Sequence, residues 1–228
     1  MTKSRKSVLS AIKAPTPLKP DERRILLAAA NRFLSQGLYK VTLDEVATDL
    51  GMSKKTVYKF FPSKEELLKS VVKIMMGGIE RRVDEIVRSQ KPFEEKLLSL
   101  FLMLVGFFGR FSRQFQLDVQ RFAPNLWKEV EAFRRDHVLP KLRAMFQQAR
   151  EEGVFRPEVD SDLFYLIFIT TVQSIMTPQV LSQHSFSAEE AFRGIFRILF
   201  SGVLTKDAKA RYDKLEKAIS VHQPLDLL

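Results

Sequence analysis

The 228-residue chain has no cysteine, three histidines and one tryptophan. The lack of cysteine excludes disulfides, thiolate zinc sites and a cysteine nucleophile, and it suits a reducing cytosol. His137, His184 and His222 are far apart in sequence, so no metal-ligand spacing is present and neither a metal nor a cofactor is expected. There is no glycine-rich phosphate loop, no nucleophile elbow and no pair of histidines at i and i+4. An all-α enzyme with an apolar pocket is left as a remote alternative. Long apolar runs are also missing. Phe101–Phe108 and Leu163–Ile169 fall well short of the ~20 residues that cross a bilayer. The basic N-terminus carries prolines and no apolar run, so neither a secretory signal nor a membrane partner is expected and a cytoplasmic location follows. No alternating strand pattern of useful length occurs, and no internal repeat. The fold class is therefore all-α.

What is present is an ordinary globular composition, 45% hydrophobic and 28% charged, with charge distributed unevenly. Residues 1–64 hold thirteen Lys/Arg and five Asp/Glu, a balance of +8 out of the total of +10. The remaining 164 residues hold twenty-four and twenty-two, a balance of +2. A basic segment on a near-neutral body suggests a polyanion partner, DNA or RNA first; the plainer alternative is a solvated basic surface.

Punctuation along the chain divides it into three parts. Residues 1–19, basic and free of acids with prolines at 15 and 17, read as a flexible arm. Residues 20–66 read as three short helices. Pro20 suits the first position of a helix that Gly37 ends. Thr42-Leu43-Asp44-Glu45 is a capping box, and Leu50-Gly51 closes its helix. Ser53 opens a third helix that Pro62 stops. Residues 67–228 form the larger helical body. Ser63-Lys64-Glu65-Glu66 is a capping box for a long helix to about Arg88. Phe93–Gly109 and Phe111–Phe122 follow. Pro124–Arg150 reads as one long helix kinked at Pro140. Asp160 caps 161–176, which Pro178 ends, and Ser187 caps 187–204. A charged helix over 206–220 comes last.

The second and third short helices meet the demands of a helix-turn-helix. Ala47 is small enough for the crossing. Gly51, four residues on, can take positive φ in the turn. Val57 and Phe60 bury against Val46, Leu50 and Met52. With about 100° per residue and Val57 inward, Lys55 and Lys59 point outward, flanked by Thr56 and Tyr58. Lysine can meet guanine or phosphate, and threonine a thymine methyl.

Residues 21–68 resemble the N-terminal domain of the tetracycline-repressor (TetR) family of bacterial regulators. The matching string is Thr42-Leu43-Asp44-Glu45-Val46-Ala47, Gly51-Met52-Ser53, Thr56-Val57-Tyr58-Lys59-Phe60-Phe61 and Ser63-Lys64-Glu65-Glu66-Leu67-Leu68. The resemblance implies that Lys54, Lys55 and Thr56 touch base edges or nearby phosphates, and Ser53 and Lys59 complete the candidate DNA-binding set. It implies that Tyr58 holds a phosphate and that Thr42 and Lys64 clamp the backbone from helix N-termini, where anions are favoured. The DNA would be a double-stranded, near-palindromic operator. The founding member's magnesium is not implied here.

Sixteen of the nineteen phenylalanines lie between residues 93 and 200. The resemblance implies a ligand cavity in this body and a homodimer made by its last two long helices. Phe101, Phe107, Phe108, Gln114, Arg121, Trp127, Phe164 and Phe168 are candidate pocket residues for a small apolar or aromatic effector, with His137 and Gln173 as further polar candidates. Phe164, Phe168, Ile175, Phe192, Phe196, Leu199 and Phe200 are candidate dimer residues, on helices apolar nearly all round. The leading expectation is a repressor that such an effector releases. The alternative is a DNA-binding regulator with no small ligand, controlled by a protein partner.

Overall fold

The computed structural model describes residues 18–110 and 113–218, and these are helical almost throughout. The basic arm before residue 18 and the tail after 218 lie outside the described residues. α1 (Pro20–Gln36) carries Pro20 at its first position and buries Ile25, Leu26, Ala29, Ala30, Phe33 and Leu34. α2 (Leu43–Leu50) begins at Thr42, whose hydroxyl accepts from the Glu45 N–H while the Glu45 carboxylate accepts from the Thr42 N–H at 2.8 Å. It ends at Gly51, left-handed at φ 61°. α3 (Lys54–Phe60) is capped by Ser53, and α4 (Lys64–Arg88) by Ser63. Here the reciprocal box of Thr42 is reduced to its forward bond, from Glu66 N–H to Ser63 Oγ at 3.2 Å.

The body comprises α5 (Phe93–Arg110), α6 (Arg113–Phe122), α7 (Pro124–Phe133), α8 (Leu139–Glu151), α9 (Ser161–Ile175), α10 (Pro178–Ser182), α11 (Ala188–Val203) and α12 (Lys206–Ala218). Pro124–Arg150 is helical throughout, but its irregularity lies just before Pro140 and not at it. A π-helical turn at Arg134–Val138 separates α7 from α8, and Pro140 sits in the first turn of α8. Pro140 has no N–H to give the Asp136 carbonyl, so the widened turn falls just before it. Pro178 ends α9 and also starts α10, because a proline at a first helical position loses no needed bond.

Two apolar cores result. One unites α1–α3 with the first three turns of α4, through Leu67, Leu68, Val71, Val72 and Met75. Phe115, Val119 and Leu126 reach into it from α6 and α7. A boundary at 66/67 therefore cuts a continuous helix, since α4 belongs to head and body alike. The second core lies among α5, α8, α9, α11 and α12, with the lower part of α4. Phe146 is its hub, with ring centroids at 5.5 Å from Phe164, 5.9 Å from Phe168 and 5.7 Å from Phe200. Most of these pairs are tilted or edge-on, the arrangement that ring quadrupoles favour.

The Phe-rich dimer candidates belong to this inner core. Phe164, Phe168, Phe192, Phe196 and Phe200 are buried within the protomer, and Ile175 and Leu199 are half-buried. The apolar residues that α9 and α11 leave outside are instead Leu163, Leu166, Ile167 and Ile198. A helix that is apolar all round gives no hint of which face the core takes.

Candidate nucleic-acid interface

Short-range chemistry shapes the head. Ala47 and Val57 are buried at the α2–α3 crossing, and the Met52 N–H donates to the Ala47 carbonyl at 2.9 Å, tightening the turn. α1 is stapled to α2 by Arg32, whose Nη2 donates to Asp49 Oδ1 at 2.7 Å in a two-pronged pair. The Arg32 guanidinium holds the Asp49 carboxyl below its ordinary range, chiefly through this hydrogen bond.

With Val57 inward, α3 turns Lys54, Lys55, Tyr58 and Lys59 outward, while Thr56 is half-buried. These side chains are not equally free. Lys54 Nζ donates to Asp44 Oδ2 at 2.6 Å, a bond that raises the lysine's pKa and fixes the ammonium over the start of α2. Thr56 Oγ1 lies 2.8 Å from Ser53 Oγ, so both hydroxyls serve the cap of α3. Thr42 is likewise engaged with Glu45. Lys55 and Lys59 make no ion pair among the described residues, and Tyr58 is 46% exposed. Lys55, Tyr58 and Lys59 thus form the available part of the face.

Lys64, at the start of α4, is half-buried behind the α1–α2 turn and donates to the Tyr39 carbonyl at 3.3 Å. Burial lowers its pKa, opposed by the nearby Asp118 and Glu45 carboxylates. Sequence reasoning passed over Asp44, Asp49 and Asp118, the acids that orient this surface. Asp118 had a legible signal: it shares the apolar face of α6 with Phe115, Val119 and Phe122, where an acid calls for partners.

The residues named for a ligand pocket do not converge. Phe101, Phe164 and Phe168 lie in the body core, while Phe107 and Trp127 pack against the head core. The Phe108 side chain lies outside the described residues. Gln114 faces Asp118, and Arg121 is exposed over the Phe122 ring. His137 is exposed and meets Glu80 at 3.0 Å, and Gln173 is exposed. Apolar helices of one chain feed two separate cores here, which helical spacing alone does not reveal. A cleft of about 160 Å³ opens between α5, α11 and α12, and of the pocket candidates only Phe101 lines it, with Phe196, Phe200 and Tyr212.

No described helix is long and apolar enough to cross a membrane. The family model described as bacterial regulatory proteins, tetR family, matches residues 25–71. Over 189 residues the chain is 24% identical to the uncharacterised HTH-type transcriptional regulator YvaF of Bacillus subtilis, covering 81% of this chain and 96% of that protein. It is 26% identical to the HTH-type transcriptional repressor KstR2 of Mycolicibacterium smegmatis over 195 residues, 82% of this chain and 94% of that one. The fold extends this likeness to the body. The transcriptional regulator FadR of Bacillus subtilis, solved in complex with stearoyl-CoA, superposes with a TM-score of 0.56 at 20% identity, covering 79% of this chain and 98% of that one. The head thus carries the helix-turn-helix that the tetR-family model describes, with an outward basic face, and the chain as a whole is similar to DNA-binding transcriptional regulators over nearly their full length and shares their all-helical fold.

Proposed function

We propose that the chain is a dimeric repressor that reads a near-palindromic operator through α3 and leaves it when a small apolar effector binds the body. The observation that carries the DNA-reading half is the face of Lys55, Tyr58 and Lys59, exposed because Val57 is wholly buried behind them. Phosphate contacts from the lysines and the Tyr58 hydroxyl set the register, and contacts to base edges set the sequence. Thr42 and Lys64 join the clamp at the edges, each already held by a neighbour. Two copies related by a two-fold axis place two reading helices about 34 Å apart, one helical turn of DNA.

The partner surface is the apolar stripe of Leu163, Leu166 and Ile167 on α9 with Ile198, 73% exposed, on α11. Two such faces pack as a four-helix bundle and withdraw these side chains from water. Support for an effector comes from the Phe-rich body and from the similar FadR, which holds stearoyl-CoA. One observation favours the second reading, a body controlled by a protein partner. The Phe146 cluster is packed on itself, and the α5–α11–α12 cleft is small beside the ~300–1,000 Å³ usual for ligand sites. Release from upstream DNA separates the two. Long-chain acyl-CoA or a sterol that lowers anisotropy and raises the melting temperature supports the effector reading. No release by any apolar compound of either class, with operator binding intact, leaves the partner reading.

A further inference from the structure

We propose that Asp118 is the residue through which the helical body holds the DNA-binding head in its reading orientation, a proposal that rests on the DNA-reading role of that head. Asp118 lies on α6, is 2% exposed and is met by no cation at hydrogen-bond distance among the described residues. A buried carboxylate is costly unless its lone pairs are filled. Here Oδ2 is filled from the head and Oδ1 from a neighbour on α6 itself. Oδ2 accepts from the Leu38 N–H at 2.6 Å and the Tyr39 N–H at 3.1 Å, and Oδ1 accepts from Gln114 Nε2 at 2.6 Å.

The turn after α1 is built for this approach. Gly37 has φ +83°, and a Cβ there would lie 2.7 Å from Asp118 Oδ2 and from Gln114 Cγ. The same turn is also held by α4, where the Tyr39 carbonyl accepts from Lys64 Nζ at 3.3 Å. One residue, Tyr39, is thus gripped by α6 on its N–H and by α4 on its carbonyl. Three residues on stands Thr42, the cap of α2. A shift of α6 therefore moves together the turn, the start of α2 and Lys64, the parts of the head beside the phosphate path. Other α6–α7 contacts with the head, among them Phe115, Val119, Leu126, Trp127 and the Phe122 ring against Tyr39, are apolar and tolerate sliding. The bonds of Asp118 are directional and do not.

The test uses the full chain. Asp118→Asn keeps the shape, removes the charge and puts an amide N–H₂ where one oxygen accepts. Asp118→Ala serves as the second variant. Amide exchange is read without DNA, and affinity for the upstream DNA over a salt series. Exchange at Leu38 and Tyr39 should rise about tenfold or more in both variants, while amides of α5 and α8 stay unchanged. Affinity should fall about tenfold with a shallower salt slope. Combined with Lys64→Ala, the two losses should come to less than their product, since Lys64 holds Tyr39 as well as lying beside the phosphate path. Unchanged exchange at the two amides overturns the proposal. So does faster exchange with affinity within twofold of the parent, or losses that multiply. A parent chain with no preference for upstream over random DNA overturns the DNA-reading role and this proposal together. In that case the exchange data still report whether the contact exists, so the two failures are told apart.

Discussion

At the residue scale, the head is organised by carboxylates that accept from defined donors. Glu45 is the clearest case. The Thr42 backbone N–H, then its hydroxyl, hold the Glu45 carboxyl below the usual range, and Ser187 does the same for Glu190. A carboxylate whose folded pKa is depressed stabilises the fold above its unfolded pKa, and that contribution is lost as pH falls through the folded value. The melting temperature should therefore drop as pH goes below about 4. Glu45→Gln should lower it at pH 7 and make the acid-side drop smaller. An acid profile identical in the variant and the parent contradicts the box. Both boxes were legible in the sequence because cap chemistry is local, S/T-x-x-E within one turn. The pairs Lys54–Asp44 and Arg32–Asp49, and the contact of Asp118 with Leu38, were not. They join residues 10, 17 and 80 positions apart, which no local pattern encodes.

At the element scale, starts and stops follow side-chain chemistry closely. Pro20, Thr42, Ser53, Asp160 and Ser187 all stand where a helix begins. Gly51 stands where one ends, at positive φ with open space where a Cβ would be. Gly51→Ala should therefore cost about 1 kcal/mol through backbone strain alone, and Gly51→Asn less. For a chain of this size that is a drop of about 2–4 °C in melting temperature. A higher melting temperature for Gly51→Ala would show that the turn is not left-handed. The π turn before Pro140 and the short α10 escaped notice for one reason. A proline announces an irregularity without saying whether the chain kinks, widens or restarts.

At the scale of the whole molecule, the all-α class was legible, but the faces of the body were not. α9 and α11 each carry apolar residues on opposite sides. The phenylalanines take the inside, where large rings fill the space around Phe146, and Leu163, Leu166, Ile167 and Ile198 are left outside. The candidate pocket residues scattered for a related cause, because α5 to α7 serve two cores. If the outer stripe is the dimer face, Ile198→Glu buries a charge at its centre. Sedimentation should then show a monomer, and operator affinity should fall at least tenfold. A dimer that survives Ile198→Glu and Leu166→Glu together would place the partner surface elsewhere.

DNA reading by α3 is best tested by fluorescence anisotropy. The full chain is titrated onto its own upstream DNA and onto a random pool over a salt series, alongside Lys55→Ala and Tyr58→Phe. Binding should be tighter to the upstream DNA, fall steeply with salt, and weaken in both variants. The salt slope of Lys55→Ala should be shallower by about one phosphate contact. Equal, weak binding to both DNAs that neither substitution alters would contradict DNA reading by α3.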